Sequence, residues 1–287
     1  MANLKEIRNR ISSIGSTMQI TSAMKMVSAA KLKKATDTIT AMRPYSEKLT
    51  EIIQNVSSTL EGENSGVYSQ VREVKNVLFI AVTSNRGLCG GFNANIIKQI
   101  NILANTSYKG TKISVLTIGK KGNDILKKSF NIVDNQSSLY DHFDFEHTAV
   151  IAEHVMDAFV NEKYDSIQII YNQFKNAATQ LVVTEQFLPL LPIETDAAAA
   201  PSDYIYEPSK EEIIETLIPL SLKTQLFKAI ADSVASEHGA RMTAMHKATD
   251  NAKELRNDLK LSYNKARQAA ITNEILEIVG GAEALNN

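Results

Sequence analysis

The chain has 287 residues, enough for one or two domains, and its 12 Gly and 6 Pro are too few for a turn-rich all-β fold or a low-complexity disordered chain. A single cysteine, Cys89, excludes an intramolecular disulfide, and MANLKEIRNRI is charged from the outset, without the apolar run of a secretory signal. The net charge of −1 conceals a segregation: residues 1–57 and 220–270 are basic, whereas 58–219 and the tail 271–287 are acidic.

In the first 57 residues Leu4, Ile7, Ile11, Ile14 and Met18 recur at alternating spacings of three and four, the a/d seam of a coiled coil. The seam softens through Ala23, Met24, Met26, Val27 and Ala30 and resumes near Leu49, Ile52, Ile53 and Val56. One continuous helix here is about 85 Å long at ~1.5 Å per residue. Residues 58–70 read as a polar linker. Val77–Val82 is wholly apolar and reads as a buried strand, too short for the roughly 20 residues that cross a bilayer. A helix is predicted from Asn93 to Asn105, a strand over Ile113–Ile118, a helix from Gly122 to Phe130, a short strand at Ile132–Asp134 and an amphipathic helix over Glu146–Asn161. Ser166–Phe174 and Gln180–Phe187 flank Lys175–Thr179 and predict an antiparallel hairpin.

Strand–helix alternation implies a small α/β domain with a mostly parallel sheet. Pro189–Pro208 is an acidic connector, and the helical period returns from Lys210. Leu226, Ile230, Val234, Arg241, Ala244, Ala248, Ala252, Leu255, Leu259, Tyr263, Ala266 and Ala270 then fall mostly three or four apart. Pro219 is expected to kink or restart this helix and Gly280-Gly281 to end it. The fold class that follows is α/β: a long antiparallel coiled coil of N- and C-terminal helices with an inserted Rossmann-like domain, divided as 1–57, 70–200 and 208–287.

Three clusters invite a chemical reading, and each has a plainer one. Gly87-Leu-Cys-Gly-Gly91 lies between a strand and a helix, where nucleotide-binding proteins cradle phosphate. Its spacing fails G-x-G-x-x-G, no G-x-x-x-x-G-K-[ST] occurs, and a tight structural turn accounts for it better. Cys89 beside Arg86 suggests either an activated thiol or a buried inert one. Asp141-His-Phe-Asp-Phe-Glu-His147, with His154, suggests metal ligands or an acidic helix N-terminus. No catalytic carboxylate pair or Ser-His-Asp set stands out, so no catalytic residue, cofactor or metal ligand is assigned.

The ends carry the strongest pattern. Ile20-Thr-Ser-Ala-Met-Lys-Met-Val-Ser-Ala-Ala-Lys-Leu-Lys-Lys-Ala35, Arg241–Asn251, Tyr263–Ala270 and Ile271–Ala284 resemble the terminal helices of the gamma subunits of F-type ATP synthases. Arg86–Asn93, Tyr171-Asn-Gln-Phe, Leu188-Pro-Leu-Leu-Pro192 and Tyr204-Ile-Tyr-Glu-Pro208 agree with the same family. The resemblance implies a rotor shaft inside a ring of three alpha and three beta subunits, standing on a ring of c subunits beside epsilon. Ion flow turns the shaft, and the catalytic sites belong to beta. It further implies contacts to alpha and beta at Met24, Lys25, Arg241, Arg267, Gln268, Thr272 and Glu274, and contacts to the c ring or epsilon at Tyr204, Tyr206 and Glu207. It implies membrane association through the complex alone, at the cytoplasmic face of a bacterial inner membrane, and no nucleic-acid partner. Asn85 replaces an Asp common in the family, which unsettles a carboxylate pairing to Arg86. The competing reading is a nucleotide-binding α/β enzyme with helical oligomerisation arms.

Overall fold

The computed structural model describes residues 4–58, 67–190 and 210–285. Most of the connector Pro189–Pro208 and most of the linker 58–70 lie outside them. Helix α1 (Leu4–Ser58) opens the chain, and helix α5 (Lys210–Leu285) closes it. Between them come β1 (Asn76–Val82), α2 (Phe92–Asn105), β2 (Lys112–Ile118), α3 (Lys120–Leu126), β3 (Asn131–Asn135), α4 (Phe145–Val160), β4 (Ser166–Phe174) and β5 (Gln180–Leu188).

The five strands form one sheet in the order β3-β2-β1-β4-β5. Pairs β1–β2, β1–β4 and β2–β3 are parallel, with Val77 opposite Ile113 and Ser166, and β4–β5 is antiparallel. Strand β1, wholly apolar after Asn76, takes the centre because both its faces are covered, as parallel strands require. Alternation sorts its residues: Leu78, Ile80 and Val82 face one core, Val77, Phe79 and Ala81 the other. The first core is closed by Ile151, Val155, Met156 and Phe159 of α4 and by Ile218, Leu222, Leu226 and Ile230 of α5. The second is closed by Ile96 and Ile100 of α2 and Leu126 of α3. The early part of α5 is thus a structural helix of the α/β module.

The predicted hairpin is present. Asn176 Oδ1 accepts from the backbone N–H groups of Ala178 (3.0 Å) and Thr179 (2.7 Å), an Asx turn that reverses the chain. Helix α3 starts and stops earlier than its predicted range because Gly119 sets up a turn at its start and Phe130 already belongs to the turn after it.

Two expectations for the last helix are corrected. It runs through Pro219 without restarting, and it continues through Gly280-Gly281 to Leu285. Neither glycine takes the positive φ of a helix-ending cap, so each stays helical at a cost of about 1 kcal/mol relative to Ala.

By contact density the chain separates into two units, Met1–Ser28 with Met242–Asn287, and Ala29–Arg241. In the first unit α1 and α5 run antiparallel: Lys25 meets His246, Thr21 meets Thr249, and Ile14 and Arg10 line a groove with Leu255 and Leu259. The seam passes through Ile7, Ile14, Thr21 and Ser28, a seven-residue repeat that continues in hydroxyl residues where the apolar residues give out. Thr21 Oγ1 and Ser28 Oγ donate to carbonyls of their own helix, at Thr17 (3.0 Å) and Met24 (2.7 Å), so they enter the seam satisfied. Opposite them Met245 and Ala252 are buried, whereas Leu255, placed in the stripe by sequence, is half exposed.

Gly119 is the most constrained backbone position in the module. Its φ is +115°, and a Cβ there would lie 2.0 Å from the carbonyl oxygen of Thr83. Gly119→Ala therefore combines an unfavourable φ with a backbone clash, and urea denaturation is expected to show a loss of at least about 3 kcal/mol or an unfolded module.

Candidate functional site

The loop after β1, Thr83–Gly91, is the position at which an α/β protein of this type meets a nucleotide. Here the loop is filled from within. Ser84 N–H donates to Asn93 Oδ1 (2.9 Å), Asn93 Nδ2 donates to Ser84 Oγ (2.8 Å), and Ser84 Oγ donates to the carbonyl of Arg86 (2.7 Å). Cys89 is buried beside Phe92 and Ala240. Leu88 and Gly90 both adopt positive φ, 62° and 59°, which folds the loop back on itself. Burial pushes the Cys89 thiol up, against the weaker opposing influence of Ser84 and Arg241. The thiol is buried and its thiolate disfavoured, the opposite of an activated nucleophile.

The loop turns its carbonyls towards α5. Arg241 Nη2 donates to Arg86 O (3.0 Å) and Gly87 O (3.3 Å), and Nε donates to Gly87 O (3.3 Å). Its Nη1 pairs with Glu237 Oε1 at 2.7 Å, one helical turn earlier. Arg241 as a whole is only 8 % exposed. A phosphate cradle needs N–H groups directed at an anion, whereas this loop presents oxygens to a cation. Burial raises the Glu237 carboxyl, outweighing the opposing pull of Arg241.

Asn85 explains its own identity. Its Nδ2 donates to Ser137 O (2.8 Å) and its Oδ1 accepts from Lys120 N–H (2.9 Å). It ties the loop to the start of α3 and to the short 3-10 turn Ser137–Asp141. A carboxylate serves only the second bond, so the amide has a use that an Asp lacks.

The remaining sequence-derived positions are dispersed. Met24 and Lys25 are half buried on α1, and Lys25 Nζ lies 3.5 Å from His246 Nδ1. Arg267, Gln268, Thr272 and Glu274 are exposed on the last stretch of α5, where Thr272 Oγ1 donates to Gln268 O (2.9 Å). Arg241 faces inward, a placement that helical periodicity along one chain does not reveal. Tyr204, Tyr206 and Glu207 lie outside the described residues. In the histidine cluster, Asp144 caps α4: its Oδ1 accepts from His147 N–H at 2.8 Å, and that backbone bond, together with the His147 ring, lowers the carboxyl. The acidic helix N-terminus is therefore the structural use of this motif.

An α/β module inserted between two long terminal helices, with its nucleotide position closed by its own arginine, is the class of fold this chain adopts. The comparisons agree over the full chain. A family model described as ATP synthase matches residues 3–285. The chain is 68 % identical over 286 residues to an ATP synthase gamma chain of Flavobacterium johnsoniae, covering 100 % of both, and 52 % identical over 295 residues to one of Cytophaga hutchinsonii, again covering both fully. It is similar in fold to a chain of the Tetrahymena thermophila mitochondrial ATP synthase central stalk and c-ring structure, with TM-score 0.60 and 25 % identity over 80 % of this chain and 99 % of that one. A chain of the Euglena gracilis mitochondrial enzyme (OSCP, F1 and c-ring) gives TM-score 0.73 at 22 % identity, over 98 % of this chain and 94 % of that one, a likeness of fold. The chain belongs to the gamma-chain family of F-type ATP synthases. It is a subunit of that complex and not its catalytic one.

His238 supplies a stability test of the site. Burial, then the charges of Arg241 and Lys31, lower its imidazole to about 4, and its Nδ1 lies 3.4 Å from Arg241 Nη1. The folded chain holds this ring neutral while the unfolded chain protonates it below the usual value near 6.5, so stability is present above that value and lost as pH falls from there to about 4. The loss is expected to be of order 2 kcal/mol. Denaturation midpoints of the wild type and His238→Gln, followed across this window, should converge as pH falls.

Proposed function

We propose that this chain is the turning shaft of a bacterial F-type ATP synthase, carrying ion-driven rotation of a c-subunit ring to catalytic sites on three beta subunits alternating with three alpha subunits. The observation that carries the reading is the full-length match to ATP synthase gamma chains at 68 % identity. The geometry supports it in two ways. Helix α5 continues from the buried core of the α/β module to a tail whose Ile271, Ile275, Leu276, Ile278 and Val279 are 47–67 % exposed, an apolar surface suited to an apolar sleeve in a partner. The loop that binds nucleotide in enzymes of related architecture is closed by Arg241, which weighs against the enzyme reading.

In this reading the functional segments are 1–57, 70–200 and 208–287. Met24 and Lys25 on α1 and Arg267, Gln268, Thr272 and Glu274 on α5 meet alpha and beta, whereas Arg241, grouped with them by the resemblance, is turned into the α/β module. Tyr204, Tyr206 and Glu207 meet the c ring or epsilon. No helix among the described residues is long and apolar enough to cross a membrane. Attachment through the c ring at the cytoplasmic face of the inner membrane is the placement that follows.

Tagged chain should co-purify alpha and beta as an ATPase; failure to recover them refutes the assignment. Exposed polar contacts are individually worth only ~0–1 kcal/mol, so single changes at Arg267 or Glu274 should be tolerated. Met24→Lys differs, because it places a strong donor where an adaptable thioether slid over the partner. The enzyme should assemble and hydrolyse ATP while ion pumping per ATP falls at least about twofold, with partial recovery on changing Gln268 or Thr272. Unchanged pumping per ATP in membrane vesicles removes this contact from the set. For the foot, a cysteine introduced by Tyr206→Cys should cross-link to c or epsilon; cross-links confined to alpha or beta refute that placement.

A further inference from the structure

Three consecutive residues of α5 meet three separate parts of the α/β module. Gly239 packs on the hairpin tip between β4 and β5: a Cβ there would lie 3.2 Å from Ala177 Cα, 3.3 Å from Ala177 O and 3.5 Å from the Phe174 ring. Ala240 is buried against Cys89 and Phe92, at the end of the β1 loop and the start of α2. Arg241 grips the carbonyls of Arg86 and Gly87 in the middle of that loop. Successive helical residues point about 100° apart, so these contacts surround more than half of the helix at one level. Earlier in α5, Leu222, Leu226, Ala229 and Ile230 lie in the apolar core. Apolar packing of that kind resists separation but is non-directional, so it resists rotation of the helix about its own axis less well. A fork of fixed donors on two carbonyls, and a glycine in backbone contact with a turn, are directional.

We propose that Gly239, Ala240 and Arg241 form a torsional collar, the level at which twist passes between the α/β module and helix α5, with Arg241 as its positioning residue. The role rests on the shaft reading. Rotation of the helix about its axis must strip the guanidinium from the carbonyls of Arg86 and Gly87 and leave those acceptors unpaired, which makes slippage costly. The collar also accounts for the form of the loop: Leu88 and Gly90 take left-handed backbone conformations, and the carbonyls at 86 and 87 turn towards Arg241.

Two measurements test it. In the isolated full chain, Cys89 reports the collar because it is buried behind Ala240. Arg241→Gln should accelerate reaction of Cys89 with a thiol reagent at least tenfold while thermal unfolding stays cooperative. In the assembled ATPase, with the ring immobilised and a probe fixed to the α/β module, the angular variance of a nucleotide-stalled rotor should at least double in Arg241→Gln. Arg241→Lys, which keeps the charge without the fork, should fall between the two and serves also if the Gln variant fails to fold. Unchanged thiol reactivity overturns the collar, because Arg241 then does not hold the loop. Accelerated reactivity with unchanged angular variance also overturns it, because the loop then bears no twist. If the probe on the wild-type complex never rotates, the shaft reading fails and the torsional role falls with it, while the thiol measurement still decides whether Arg241 holds the loop.

Discussion

A guanidinium taken out of water must find its hydrogen bonds inside the protein, and the arrangement around Arg241 follows from that requirement. Removing the charge from solvent costs several kcal/mol unless every donor is used. Glu237 supplies one acceptor, but Glu237 is itself buried, and its carboxyl is raised by that burial despite the cation beside it. The pair alone is therefore poorly compensated. The carbonyls of Arg86 and Gly87 complete it, and to reach Arg241 the loop adopts the left-handed conformations at Leu88 and Gly90. Ser84, Asn93 and Asn85 then fill or anchor what the loop leaves open. One buried charge thus dictates the shape of the segment between β1 and α2.

The long helices are stabilised differently from the module. Between the strands, residues such as Phe79, Ile96 and Ile169 are fully buried, and apolar burial dominates. In the unit formed by the chain ends, the seam carries Thr21, Ser28 and Ala252, which bury little apolar area. Each hydroxyl is returned to its own backbone, so the seam carries no polar cost but gains little hydrophobic stabilisation. Most helical stability in proteins comes from tertiary packing of an apolar face. The tail, with Ile275, Leu276 and Ile278 exposed, presents an apolar surface of the kind that contact with another chain covers.

Local pattern made much of this fold legible. The unbroken apolar run of β1 placed it at the sheet centre, the paired runs around Lys175–Thr179 placed the hairpin, and the Leu4–Met18 spacing placed the seam. Quantities set by distant residues were not legible in this way. Pro219 and Gly280-Gly281 carry local breaking signals, yet α5 runs through both, because neighbouring turns supply enough bonds to carry an unfavourable residue. Arg241 reads as one more cation on a helix; only the carbonyls of a loop about 155 positions earlier make it an internal brace. Asn85 looked like a lost carboxylate until Ser137 and Lys120 showed that both ends of the amide are used.

The polarity of the β1 loop also bears on how an α/β module of this type serves a mechanical role. A nucleotide-binding loop must stay open and electropositive, with N–H groups free to meet phosphate, and an open loop is a poor place to transmit force. This chain keeps the strand–loop–helix order of such a site but reverses the chemistry: carbonyls face inward, a resident cation takes the central place, and Cys89 and Phe92 seal the base against Ala240. Gly119 and Gly122 bring the next strand–helix turn against Thr83, whose Oγ1 accepts from Gly122 N–H at 3.0 Å while Tyr140 Oη donates to its carbonyl at 2.7 Å. The carboxyl ends of the adjacent parallel strands β1 and β2 are thereby fused. A module closed in this way holds α5 through fixed carbonyls and a sealed apolar base rather than leaving that edge open to a ligand.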